Sequence, residues 1–324
     1  MVNPMKKKMS TKKKVLLIIL SVVVLIVLGA GIYVARLTSN VKKVEASPEE
    51  LGITDNTETE PEATEEKTEY GKFRPEERYL NIALLGVDTR DLDSYDYCRS
   101  DTMMVVSIDR ENKSMKLLSV ARDTYASIED HGMDKITHAY AFGGPTLAVK
   151  TLNQNYDLNI KDFVVVNFAG MVKIIDRLGG VEITVDDEEA QCIPGIDSTG
   201  TYNLNGEQAL AYSRDRATAG GDFKRTERQR TVLIKLAEKY RDVKLTDVMP
   251  IVSQLSTNLM TTLEPADITN LAAEVINNGY QKNIAQNMYP ESTYASGQMI
   301  DGIYYYVGDI EQTKESMHNF LYNK

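Results

Sequence analysis

Residues 79–85 read Tyr-Leu-Asn-Ile-Ala-Leu-Leu and run into Gly86, a short apolar run ended by a turn residue that predicts a buried strand. Residues 102–109 and 115–120 alternate well enough for a hairpin, with Glu-Asn-Lys-Ser between them as turn material. Gly143-Gly144-Pro145 predicts the start of a helix through residue 156, because proline is favoured early in a helix. A buried strand at 163–167, a helix over 169–178 stopped by Gly179-Gly180, and a strand at 181–185 follow. Asn205 caps a helix over 206–213, with Gln208 at the capping-box position. Helical periodicity returns over 225–240, 245–260 and 265–278. Two short strands are expected near the C-terminus, 284–289, stopped by Pro290, and 299–307. The alternation predicts an α/β protein, an α-β-α sandwich around a central mixed sheet.

The N-terminus has another pattern. Six lysines, at positions 6–8 and 12–14, precede an uncharged, almost wholly apolar run over 15–34. Twenty helical residues span about 30 Å, the thickness of a hydrocarbon core, so 15–35 is expected to cross a membrane. The run is too long for the apolar part of a cleaved signal, and no convincing cleavage site follows it. Lysines before the span outnumber Arg36, Lys42 and Lys43 after it, which places residues 1–14 in the cytoplasm and the rest outside. From 45 to 69 the chain carries ten acids and one lysine. Such a stretch buries too little apolar surface to offset ordering, so 36–71 is expected to be an acidic disordered tether. Residues 72–324 then form one globular domain.

Charge narrows the chemistry. The net charge is -10 and the sequence pI about 5.0, the wrong sign for a nucleic-acid binder. Against that background, arginines sit tightly beside acids: Asp88-Thr-Arg90, Arg99-Ser-Asp101, Arg122-Asp123, Arg214-Asp-Arg216, and Asp222, Arg225 and Arg228-Gln229. A site for a polyanion and a divalent metal needs this combination, since guanidinium forks take phosphate oxygens and carboxylates take the metal. Asp88 and Arg90 follow one strand end, Arg99 and Asp101 precede the next, and Arg122-Asp123 follows the third. Neighbouring strands can thus deliver all of them to one edge of the sheet, where open α/β sheets place ligands. Asp222, Arg225 and Gln229 share one face of a helix start. Isolated surface salt bridges explain any one of these groups, but not five together. His131, His138 and His318 make no zinc spacing, and no nucleophile elbow, Walker loop or dinucleotide fingerprint is present. Cys98 and Cys192 are too few for a disulfide-built fold; bonded and free states both stay open.

These segments resemble the LytR–CpsA–Psr family, with its motifs falling within 79–240. The resemblance rests on Asn81-Ile-Ala-Leu-Leu-Gly-Val-Asp88-Thr-Arg90, Arg99-Ser-Asp101-Thr-Met, Leu118-Ser-Val-Ala-Arg122-Asp123-Thr and Lys135-Ile-Thr-His-Ala-Tyr-Ala-Phe-Gly-Gly. It continues through Val166-Asn-Phe-Ala-Gly-Met, Leu204-Asn-Gly-Glu-Gln-Ala-Leu-Ala-Tyr-Ser-Arg214-Asp-Arg216 and Asp222-Phe-Lys-Arg225-Thr-Glu-Arg-Gln229. Ala121 stands where the family often has proline, and Thr137-His138 where Asn-Ala is common; neither change removes a charge.

The resemblance implies a membrane-anchored transferase of the cell envelope. It would move a glycopolymer (teichoic acid, capsule or another secondary polysaccharide) from an undecaprenyl-pyrophosphate carrier to peptidoglycan through a phosphodiester. It also implies that Asp88 and Asp101 hold Mg²⁺, or Mn²⁺ in its place. Arg99, Arg122, Arg214, Arg216 and Arg225 would clamp the pyrophosphate, with Lys135, Asp222 and Gln229 completing the polar shell. Asp123 or Asp88 is expected to take the proton of the attacking sugar hydroxyl. The polyprenyl chain needs an apolar groove, for which 232–237 and 248–255 are candidates. Two other readings compete: a lipid-pyrophosphate phosphatase or non-catalytic binder, and a membrane-bound transcriptional attenuator. About fourteen cytoplasmic residues are too few for a DNA-binding domain, which counts against the last.

Overall fold

The computed structural model describes residues 42–53, 78–89, 98–215, 221–242 and 259–322. The expected cytoplasmic tail, the membrane span, Arg90, Arg216 and the candidate groove at 248–255 lie outside those residues.

Along the chain, β1 (Lys42–Lys43) precedes the three strands that build the centre, β2 (Tyr79–Val87), β3 (Ser100–Asp109) and β4 (Ser114–Val120). A small hairpin follows, β5 (Tyr125–Ile128) with β6 (Gly132–Lys135), then α1 (His138–Tyr156), β7 (Asp162–Asn167) and α2 (Phe168–Arg177). Next come β8 (Val181–Val185), the short α3 (Asp187–Ala190), β9 (Gly200–Leu204), α4 (Gly206–Arg214) and α5 (Gly221–Lys239). The rest comprises β10 (Leu259–Thr261), α6 (Pro265–Asn278), β11 (Ile284–Tyr289), the hairpin β12 (Ala295–Ile300) and β13 (Ile303–Gly308), and α7 (Ile310–Tyr322).

Seven strands form the expected mixed sheet in the order β1-β10-β7-β2-β3-β4-β11. β7 runs parallel to β2 and β3 antiparallel to it, while β3 and β4 pair antiparallel as the predicted hairpin. Strand alternation sorts the two faces. Ala83, Leu85 and Val87 of β2 pack with Ala148, Leu152 and Tyr156 of α1 and Leu321 of α7 in the larger core. Their neighbours Leu84 and Gly86 turn to the other face, which α2, α4 and α5 cover.

Several expectations need correction. The strand at 181–185 is not in the central sheet; it pairs with β9 as a separate ribbon. Val181, Ile183 and Val185 are buried while Glu182 and Thr184 are exposed, the pattern of a ribbon with one face on a core. The run 299–307 is two strands, because Asp301 and Gly302 both take positive φ and make a two-residue hairpin turn. The end of the expected 245–260 helix is strand, with Leu259 and Met260 paired to β7; residues 245–258 of it are not among those described. Gly143 and Gly144 break α1 with non-helical angles, so Pro145 restarts a helix that begins earlier, at His138.

The acidic segment also departs from the expected tether over 42–53. β1 adds to the sheet edge, and Leu51 is buried in the main core. Asn153 Nδ2 donates to the Leu51 carbonyl at 2.7 Å, which ties the segment to α1. Average composition hides such an anchor, since one well-placed leucine offsets the ordering of its short segment. Cys98 and Cys192 are free thiols.

Candidate active site

The charged site is built where β2, β3 and β4 end, and the sheet register explains its central contact. β3 and β4 pair Met103 with Val120, so continuing two residues beyond that pair brings Asp101 opposite Arg122. Arg122 Nη1 donates to Asp101 Oδ1 at 2.5 Å. The β2–β3 register slips between Gly86 and Val87, an irregularity of the kind that re-aims a side chain at a strand end. Gly86 allows the close approach: a Cβ there would lie 2.8 Å from Thr102 Cβ.

α5 supplies the second layer from its first turns. Arg225 is only 2% exposed. Its Nη2 donates to the Asp101 carbonyl at 2.7 Å, and its Nη1 lies 3.6 Å from Asp101 Oδ2 and 3.4 Å from Asp222 Oδ1. Arg122 Nε lies 3.4 Å from the same Asp222 oxygen and 3.6 Å from Asp123 Oδ2. Burial alone would lower the Arg122 pKa. The charges of Asp101, Asp123 and Asp222 outweigh it and leave the guanidinium above its ordinary value, so it stays charged.

The remaining site residues enter from three further elements. Lys135, at the end of β6, pairs with Asp123 Oδ1 at 2.8 Å. Arg214, at the end of α4, stacks over Phe168 at 4.2 Å and reaches within 3.7 Å of Asp88 Oδ1. Arg99 is exposed beside Asp88, whose N–H donates to the Arg99 carbonyl at 3.3 Å. Asp88, Arg99, Asp101, Arg122, Arg214, Arg225 and Gln229 all line one cavity. Arg228 belongs elsewhere: it is buried against Glu189 at 2.8 Å and Asp215 at 3.2 Å and braces the α3–α4 side of the fold.

That cavity, of about 750 Å³, runs from the charged mouth into an apolar interior. The sheet contributes Leu84, Met104, Val164 and Val166; α2 contributes Met171, Ile174 and Ile175. α5 adds Val232, Leu233 and Leu236, so the candidate groove at 232–237 contributes one wall of this cavity. The sheet wall was missed because a strand buried on both sides reads the same whether it faces a core or a cavity. Such a pocket suits an amphiphile with a long apolar body and an anionic head.

Arg99, Arg122, Arg214 and Arg225 meet Asp88 and Asp101 at this mouth, while Asp123, Asp222 and Lys135 lie just outside it, joined to it through Arg122. Among the described residues no group of three or more His, Cys, Asp or Glu is gathered to hold a metal by itself. Asp88 and Asp101 at one mouth nevertheless match the donor set of Mg²⁺, which commonly takes one or two carboxylates and draws further oxygens from substrate phosphate and water.

Known proteins with this architecture have been studied. A teichoic acid–peptidoglycan transferase TagU of Oceanobacillus iheyensis is 36% identical over 253 residues, covering 75% of this chain and 76% of that protein. The structure of TagT bound to LIIa-WTA superposes with a TM-score of 0.63 at 29% identity, over 78% of this chain and 94% of that one. A second, the LytR-CPS2A-psr family protein YwtF (TagT) with bound octaprenyl pyrophosphate lipid, gives 0.60 at 28% identity, over 78% and 94% of the two chains. The model of the LytR_cpsA_psr family matches residues 50–320, so the chain belongs to that family.

Proposed function

We propose that this protein transfers a glycopolymer from a polyprenyl-pyrophosphate carrier to peptidoglycan, joining them through a phosphodiester. The observation that carries the reading is the apolar cavity closed at its mouth by the Arg122–Asp101–Arg225 cluster. The names and the bound lipid pyrophosphate of its relatives support it. The lipid occupies the space between the sheet and α5, and its pyrophosphate meets the guanidiniums. The acceptor hydroxyl oxygen attacks the phosphorus that carries the glycan. The bond from that phosphorus to the bridging oxygen breaks, and polyprenyl monophosphate leaves.

Phosphoryl transfer asks mainly for positioning and charge neutralisation. Buried Arg225 is fixed by the Asp101 carbonyl and holds its geometry without reorganising. Arg122 presents a permanent charge, and Arg99 and Arg214, at the rim, grip the outer oxygens; the family motif assigns Arg216 to the same clamp. Lys135, Asp222 and Gln229 complete the polar shell. Asp123 is assigned as the base: it borders Arg122 but lies outside the lipid cavity, in a recess with Phe223 and Tyr304 where an acceptor can approach. Asp88 and Asp101 would hold Mg²⁺, or Mn²⁺, which when bound neutralises pyrophosphate charge. The basic residues 1–14 and the apolar run 15–35 support a single-pass anchor in the cell membrane with the catalytic domain outside. The polymer is teichoic acid, capsule or another secondary wall polysaccharide.

The test incubates the full chain in detergent with a lipid-pyrophosphate oligosaccharide, Mg²⁺ and uncrosslinked peptidoglycan. A glycan–peptidoglycan adduct in the mass spectrum, lost in Asp101→Ala, is the expected result. Hydrolysis of the pyrophosphate without an adduct would replace this reading with a phosphatase, and tight binding without cleavage with a non-catalytic binder.

A further inference from the structure

A second recess adjoins the charged cluster, outside the lipid cavity. Arg122 connects the two, since it lines the cavity while its Nε approaches Asp123 and Asp222, which line the recess. The far wall is the β12–β13 hairpin. Tyr306 N–H donates to the Asp123 carbonyl at 2.8 Å and so fixes the hairpin to the Arg122-Asp123 corner. Its ring meets Phe223 of α5 edge-on, with centroids 5.0 Å apart.

Tyr304, on the same face of β13, has a built position. Its ring lies over Gly297: a Cβ at that glycine would stand 2.6 Å from Tyr304 Cε2. The missing side chain lets the ring lie down on the hairpin instead of standing away from it. Lys135 Nζ lies 6.0 Å from the Tyr304 centroid. Burial, then the charges of Asp123 and Asp222, raise the pKa of the Tyr304 phenol, in keeping with its place beside those acids.

These held rings remain open. Tyr304 is 43% exposed and Phe223 38%, and Met299, the cross-strand partner of Tyr304, is 66% exposed. Grouped exposed apolar side chains mark binding surfaces. Here they alternate with Asp123, Asp222 and Lys135, whereas a membrane or a protein partner would favour a wider apolar field. Sugar rings suit the mixture, because their C–H faces pack on aromatic rings while their hydroxyls reach carboxylates and an ammonium.

We propose that the Tyr304–Phe223 surface is the acceptor subsite, a shelf that holds sugar rings of the peptidoglycan glycan strand beside the attacked phosphorus. The assignment rests on the transferase reading. It gives donor and acceptor separate surfaces that meet at Arg122, lipid on one and glycan strand on the other.

The experiment uses the full chain in detergent micelles and measures transfer at saturating donor while uncrosslinked glycan strands are varied. Tyr304→Ala and Phe223→Ala should each raise the acceptor KM about tenfold, the effect of losing one stacking contact, with donor KM unchanged. Tyr304→Phe should behave as wild type, and Gly297→Ala, which displaces the ring, should resemble Tyr304→Ala. An unchanged acceptor KM in both alanine variants, or an equal rise in donor KM, overturns the shelf. Saturation-transfer NMR with the same strands and no donor separates the two proposals. Strand binding that Tyr304→Ala abolishes, in a wild type that transfers nothing, supports the shelf and removes the transferase. Transfer by wild type without any Tyr304-dependent strand binding removes the shelf alone.

Discussion

Arg122 and Asp101 join the end of β4 to the start of β3 through a 2.5 Å hydrogen bond, while Arg225 closes on the other side of the same carboxylate. Asp101 therefore separates two guanidiniums, of which Arg225 is fully buried, and Asp222 is the second carboxylate near both. Asp101→Ala leaves only Asp222 between them, a loss of about 3 kcal/mol for breaking a buried pair. The expected outcome is a lower melting temperature and transfer reduced by at least about a hundredfold. Inorganic pyrophosphate should raise the melting temperature of the variant more than that of wild type, because it restores anionic charge between the arginines. A variant that melts and transfers like wild type would remove Asp101 from the site.

This cluster was legible in the sequence for a local reason. Asp88, Asp101 and Arg122 all sit next to strand ends, and strand ends can be read from short-range alternation. The register that makes Asp101 and Arg122 partners follows from one four-residue turn. The burial of Arg225 and its bond to a carbonyl on β3 could not be read, because they depend on how α5 docks. The apolar cavity divides similarly. Its α5 wall carries a helical apolar stripe, whereas Val164 and Leu84 look like any buried strand positions. The Asp301-Gly302 turn was readable, a two-residue hairpin signal inside a run otherwise apolar enough to pass for one strand. Leu51 was hidden by the acids around it.

The β3–β4 turn carries a pH-dependent part of the stability. Arg78 grips Asp109 with two hydrogen bonds, of 3.1 and 3.0 Å, and the N–H groups of Glu111 and Asn112 donate to the same carboxylate. Burial pushes the Asp109 pKa up, but the Arg78 and Asn112 hydrogen bonds outweigh it, so the folded value lies below the ordinary 3.8. A depressed folded pKa gives stability that is complete above the unfolded value and lost as pH falls through the folded one. Asp109→Ala should cost about 3 kcal/mol in urea unfolding at neutral pH. The gap to wild type should narrow only below about pH 4. A gap that is constant down to the acid transition would refute the linkage.

Filling the cavity should separate lipid recognition from pyrophosphate recognition. Val164 sits on the sheet wall, half-buried although it belongs to a central strand, because it faces the open space. Val164→Trp should exclude at least one five-carbon prenyl unit. At about 0.8 kcal/mol per carbon that is about 4 kcal/mol, or roughly a thousandfold in Kd for a long-chain polyprenyl pyrophosphate. Affinity for inorganic pyrophosphate, measured by calorimetry, should stay as in wild type. Equal losses for both ligands would mean that the substitution disturbs the mouth, and the cavity would lose its assignment to the lipid.

Gly206 sets the distance between the two helices that flank the mouth. A Cβ at this position would meet the Val172 carbonyl oxygen of α2 at 2.3 Å and the Val172 Cα at 2.7 Å, both backbone atoms that cannot turn aside. The Gly206 N–H also donates to Asp176 Oδ1 at 2.7 Å, and Asn205 with Gln208 forms the capping box that starts α4 there. Gly206→Ala must push α4 from α2, although alanine is the better helix former. The expected cost is about 2 kcal/mol, within the range for overpacking a tight contact. Because α4 ends at Arg214 and α2 carries Phe168 beneath it, the shift should also raise the donor KM severalfold. Asn205→Ala provides the control, since it removes the cap at about 1 kcal/mol without widening the contact. If Gly206→Ala destabilises no more than Asn205→Ala and leaves the donor KM unchanged, the α2–α4 spacing does not position Arg214.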